Sequence, residues 1–82
     1  MIKKIVHLKY DQIKTGGTVG ALIVGTTEII EATVIRKEGE SNGAKRIKIE
    51  FNFQGNYYIR RPIYDKNKCR FLPPVLIVDI DN

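Results

Sequence analysis

From Ala44 to Pro62 the chain reads AKRIKIEFNFQGNYYIRRP, and no other stretch restricts the fold so tightly. Ile47, Ile49, Phe51 and Phe53 alternate with Arg46, Lys48, Glu50 and Asn52. A period of two is what a strand with one buried side requires, and no helix satisfies it. Gln54-Gly55-Asn56 follows, residue types that tolerate positive φ and therefore turn the chain. Tyr57 to Arg61 then returns, and Pro62 ends the ladder because it has no N–H to donate. The segment is read as a β-hairpin that carries cations and aromatic rings together.

The rest of the chain reads as further short strands. Residues 2–10 alternate, with Ile2, Val6, Leu8 and Tyr10 on one face and His7 among lysines on the other. Residues 11–18 contain Gly16-Gly17 and form a loop. Val19 to Val24 is a short apolar run of the kind covered on both sides. Glu28 to Glu38 alternates as a strand until Ile35 follows Val34, where a β-bulge fits; a helix through EIIEATVIRK is the competing reading. Residues 39–44 are a polar connection, and 63–74 are irregular with room for one helical turn. Val75 to Asp81 is a last strand with Leu76, Val78 and Ile80 inward and Asp79 and Asp81 solvated. Isoleucine and valine outnumber leucine and alanine, and β-branched side chains favour sheet.

With 82 residues there is room for one core, and 43% apolar residues is enough to build it. The reading is therefore all-β: residues 1–82 as a single small β-barrel or barrel-like sandwich of five to six mostly antiparallel strands, since closure removes exposed edges. The order of elements is similar to that of the Src-homology-type and oligonucleotide-binding small barrels, with no sequence motif of either.

The net charge of +5 is unevenly placed. Residues 36–70 hold ten cations and four acids, a local charge of +6 that leaves −1 for the remainder. Such a field attracts polyanions or acidic protein surfaces. One cysteine, Cys69, permits no internal disulfide and fits a reducing compartment. MIKKIVHLKY lacks the apolar core of a signal peptide, and no apolar run approaches the ~20 residues that span a bilayer. A cytoplasmic protein without membrane contact is expected. Heavy use of Ile, Lys and Asn fits an AT-rich genome, as in low-GC bacteria, their phages or mobile elements.

Enzyme chemistry finds no support in the residue inventory. His7 is the only histidine and Ser41, in a Gly-rich loop, the only serine, so a nucleophile with an adjacent base cannot be assembled. Cys69 lies between Lys68 and Arg70, which favours the thiolate, but no base accompanies it. No metal-ligand spacing and no phosphate loop occurs, and no cofactor is expected.

The basic and aromatic residues remain. Lysine and arginine contact phosphates and exposed rings stack on bases. Ile59 is expected to face the core, with Tyr57 on the same side and its hydroxyl at the rim. Tyr58 and Arg60 are then exposed beside Arg46 and Lys48. The candidate surface is Arg46, Lys48, Tyr58, Arg60 and Arg61, rimmed by Tyr64, Lys66, Lys68 and Arg70. The expected partner is nucleic acid, DNA or RNA. The alternative is a protein-interaction or inhibitory module that binds an acidic protein surface, or that forms a homodimer through an open strand edge.

Overall fold

The computed structural model of the chain describes residues 5–41 and 44–80. They form an antiparallel sheet with no α-helix, curled into a nearly closed barrel. Its strands are β1 (Thr18–Ile23), β2 (Ile29–Ser41), β3 (Ala44–Phe53), β4 (Asn56–Arg60), β5 (Ile63–Asp65), β6 (Arg70–Phe71) and β7 (Val75–Val78). They are ordered β6-β5-β3-β2-β1-β7, with β4 also alongside β3. The helical alternative for residues 28–37 is overturned, because these β-branched residues pair with both β1 and β3.

The central hairpin forms as its alternation requires. Ile47, Ile49 and Phe51 are buried, while Phe53 lies half-buried at the rim against the core. Each fully buried side chain of this size contributes roughly 1.5–3 kcal/mol. Phe53 pairs with Asn56 across Gln54 (φ 52°) and Gly55 (φ 80°). Positive φ at both central residues matches the right-handed twist of the flanking strands. Pro62 interrupts the ladder without ending the strand. Arg60 pairs with Ile49 and Ile63 with Arg46, and the Ile47 N–H donates to the Pro62 carbonyl (3.3 Å). β4 and β5 are thus one returning strand in unbroken register with β3.

β2 is longer than the alternation of residues 28–38 suggested, running to Ser41, which pairs with Ala44. Ala32 and Val34 are buried, and the register against β3 shifts between Val34 and Arg36, the bulge foreseen beside Ile35. A second shift, between Lys37 and Gly39, has Gly39 at φ 69°, a conformation glycine adopts without a side-chain penalty. The first bulge matters for the surface. Uninterrupted alternation from Val34 would aim Arg36 at the core, whereas the extra residue places it opposite Lys48, outside.

Expectations at three places along the chain are corrected. In β7 it is Val75 and Ile77 that join the central core cluster, while Leu76 and Ile80, expected inward, are half-buried. The pairing of Ala21 with Ile77 sets this phase; an all-apolar run has no alternation from which to read it. Val78 is nevertheless fully buried, against Gly20 on the opposite face of the sheet. Residues 5–9, expected as a strand, make a single bridge, His7 to Val78, before a 3-10 turn at Tyr10–Gln12. Leu8 and Tyr10 pack on the core as expected, while His7 is half-buried and its Nδ1 has no hydrogen-bond partner among the described residues. Ile2 and Asp81 lie outside the described residues. Residues 63–74 contain β5 and β6 and no helical turn.

Candidate functional site

The outer face of β2, β3 and β4 follows directly from the pairing. Arg36 lies opposite Lys48, and one step along the ladder from the Ile49–Arg60 pair, Lys48 lies opposite Arg61. Three cations therefore cross three adjacent strands in a row. Arg46, opposite Gly39 and Ile63, stands on the next row of the same face.

One carboxylate organises this row. Glu38, the extra residue of the second bulge, accepts from Arg61 Nε at 2.7 Å and from an Arg36 terminal nitrogen at 3.2 Å. The Arg61 hydrogen bond is the largest influence on Glu38 and holds its carboxyl below the ordinary value; the Arg36 hydrogen bond acts in the same direction. Arg46 and Lys48 have no carboxylate partner among the described residues. Glu50, two residues beyond Lys48 on the same face, is a second carboxylate, so the four cations exceed the two acids by two charges.

Beside the cations lie Ile59 and Tyr57, and here the expected facing of β4 is reversed. Ile59 is 41% exposed and Tyr57 58% exposed. Glu50, an outward residue of β3, pairs with Ile59, and Asn52 with Tyr57. The Tyr57 hydroxyl donates to Glu50 at 2.6 Å, which raises its pKa above the ordinary phenol value and fixes the ring on the sheet surface. Tyr58 and Arg60 instead share the inner side with Ile49 and Phe51. Tyr58 stacks on Phe51 with ring centroids 5.5 Å apart and an interplanar angle of 25°. The Arg60 guanidinium carbon lies 4.9 Å from the Tyr58 ring centre. Both line a cleft of 310 Å³ between β4 and Pro74–Val75, at the gap in the barrel. The physical reason is the register: Phe51 is buried, so its partner Tyr58 must face the same way.

The remaining candidates divide as follows. Tyr64 is only 9% exposed and meets Phe71 edge-on, so it is core rather than rim. Lys66, Lys68 and Arg70 are exposed on and beside the turn between β5 and β6, with Arg70 paired to Asp65. The Asp65 carboxylate accepts from the Asn67 and Lys68 backbone N–H groups and shapes that turn. The structure therefore gathers Arg46, Lys48 and Arg61, adds Arg36, Tyr57 and Ile59, and separates Tyr58, Arg60 and Tyr64 from them. Only the doubled apolar pair Val34-Ile35 signalled that Arg36 would change sides.

A second basic feature lies on the inner face of the sheet, where Lys37 and Lys45 share a side with Ile47. The Lys37 and Lys45 ammonium groups sit 4.3 and 5.1 Å from the Tyr10 ring centre, and the Tyr10 hydroxyl accepts from the Gly39 N–H at 2.9 Å. This arrangement ties the turn after the N-terminal segment to β2 and β3. Cys69 is exposed, its thiol 3.6 Å from the Lys66 carbonyl. Among the described residues no group of His, Cys, Asp and Glu is placed to hold a metal ion, and no helix is long and apolar enough to cross a membrane. No protein-family model, curated protein or solved structure matches the chain.

Proposed function

We propose that this chain is a small binding protein that holds nucleic acid on the outer face of β2, β3 and β4, with little sequence preference. The observation that carries the reading is the row Arg36, Lys48 and Arg61 with Arg46 beside it, four cations against two bonded carboxylates, Glu38 and Glu50. Phosphates are contacted by such groups regardless of sequence, and arginine forks suit phosphate oxygens. Tyr57, exposed and anchored through its hydroxyl, offers a ring on which a base can stack. A labelled oligonucleotide titrated by fluorescence anisotropy tests this. Binding is expected at low salt and is expected to weaken steeply as salt rises. Arg46→Ala and Lys48→Ala are each expected to weaken it, while Lys9→Ala, away from this face, leaves it unchanged. Absence of binding at low salt would remove the proposal.

Docking to an acidic protein surface is the second reading. It draws on Ile59 exposed between Tyr57 and Arg61, a composition enriched at protein interfaces. A protein retained from a nuclease-treated lysate by the wild type, and lost with Lys48→Glu, would favour it.

A further inference from the structure

Among the described residues no strand pairs with the outer backbone edge of β4. A two-residue turn closes on a hydrogen-bonded pair, here Phe53 and Asn56. The backbone groups of Asn56, Tyr58 and Arg60 consequently face β3, and those of Tyr57, Ile59 and Arg61 face away from it. Two bonds further along confirm the phase: the Pro62 carbonyl accepts from Ile47 of β3, and the Ile63 carbonyl accepts from Leu72 on the opposite side. β6 covers that outer side only along Ile63–Asp65. Beside Tyr57 to Arg61 the chain leaves a cleft toward Pro74 and Val75. One Ile59 carbonyl lone pair is met by its neighbour's own Arg60 guanidinium at 2.8 Å.

The sequence along this edge, Tyr-Tyr-Ile-Arg-Arg, is complementary to its own reverse. We propose that two copies of the chain pair antiparallel through their β4 edges, around a two-fold axis at Ile59. In that register Ile59 lies opposite the partner's Ile59, Tyr58 opposite the partner's Arg60, and Tyr57 opposite the partner's Arg61. Every cross-strand pair is then apolar on apolar or ring on guanidinium, and no like charges meet. The outward N–H and C=O groups of Tyr57, Ile59 and Arg61 all acquire partners, and the exposed Ile59 side chain is covered. Such an interface is isologous, so it closes at two copies and leaves no edge for further growth. Pairing also sets two copies of the Arg36–Lys48–Arg61 row on one continuous sheet face, but the dimer itself requires no nucleic acid.

Sedimentation equilibrium on nuclease-treated protein, from dilute to millimolar concentration, tests the pairing independently of any nucleic-acid titration. The expected mass rises with concentration to that of two chains. Ile59→Glu places two carboxylates face to face and is expected to raise the dissociation constant by about tenfold or more. Ile59 is exposed, so the variant is expected to keep the wild-type circular dichroism and melting temperature. Lys9→Glu changes the charge equally on another surface and is expected to leave the dissociation constant unchanged. Hydrogen exchange at the Tyr57, Ile59 and Arg61 amides is expected to slow as concentration rises. A single-chain mass at millimolar concentration would overturn the proposal. So would equal weakening by Ile59→Glu and Lys9→Glu, or exchange at the three amides that ignores concentration.

Discussion

Glu38 holds guanidinium groups from two strands that do not pair with each other, and it does so from a bulge. Its depressed pKa fixes the sign of its contribution. The stabilisation is complete above the unfolded value of 4.5 and is lost as pH falls through the lower folded value. Glu38→Gln is therefore expected to be less stable than wild type in urea at neutral pH, with the gap closing in acid. The same variant adds positive charge to the outer row, so anisotropy is expected to show tighter oligonucleotide binding. Tyr64 behaves oppositely. Burial is the largest of the causes that raise its pKa above the ordinary 10.0. Its contribution is complete below that value and is lost as pH rises through the folded one, so Tyr64→Phe is expected to lessen the stability lost in alkali. Gly20 is a packing requirement. An added Cβ would stand 2.6 Å from Ile29 Cγ2 and 3.0 Å from Val78 Cγ2, and thermal melts are expected to show Gly20→Ala destabilised by ~1–3 kcal/mol.

At the scale of elements, β3 is the spine. It pairs with β2 along its length and with the returning β4–β5 strand on its other side. Its alternation separates a core face from a charged face, and its neighbours inherit that division through register. Ile49 is fully buried beneath this junction, so Ile49→Ala is expected to cost ~2–5 kcal/mol in denaturant titration. The two bulges of β2 do separate work. The first turns Arg36 outward, and the second turns the chain so that Glu38 bridges Arg36 and Arg61. Gly39 supports the second at φ 69° with open space around it. Gly39→Ala is expected to cost roughly 1–2 kcal/mol from backbone strain alone. Because it shifts the bulge that carries Glu38, it is also expected to alter oligonucleotide affinity, where Gly55→Ala at the hairpin tip is not.

At the scale of the whole molecule, the barrel has a charged outer wall and an apolar gap, and β4 borders both. If four cations of the outer wall each meet one phosphate, the slope of log affinity against log salt is expected to be about −3 for a single strand. An isothermal series over several salt concentrations measures it. The proposed pairing makes a separate demand on the same molecule: it uses the backbone edge of β4, whereas the cations project from the sheet face. Lys48→Ala is thus expected to reduce nucleic-acid affinity without changing the mass at equilibrium, and Ile59→Glu to change the mass.

Period-two alternation from Arg46 to Phe53, the β-branched content and the glycine-rich turn suffice to specify an all-β chain built on a central hairpin, because those signals are local. The bulge beside Ile35 was legible for the same reason. Local signals ran out where a segment carries no alternation of its own. Val75–Val78 is apolar throughout, and Tyr57–Arg61 offers a large ring and a cation to either side. There the facing was decided by partners distant in sequence, Ala21 for Ile77 and Phe51 for Tyr58. Tertiary pairing alone determined that Tyr58 and Arg60 lie on the inner side of the sheet, that Arg36 joins Lys48 and Arg61, and that Ile59 stands at an edge with which no described strand pairs. A strand's side chains alternate by covalent geometry, but which set meets the core depends on the register of its neighbours.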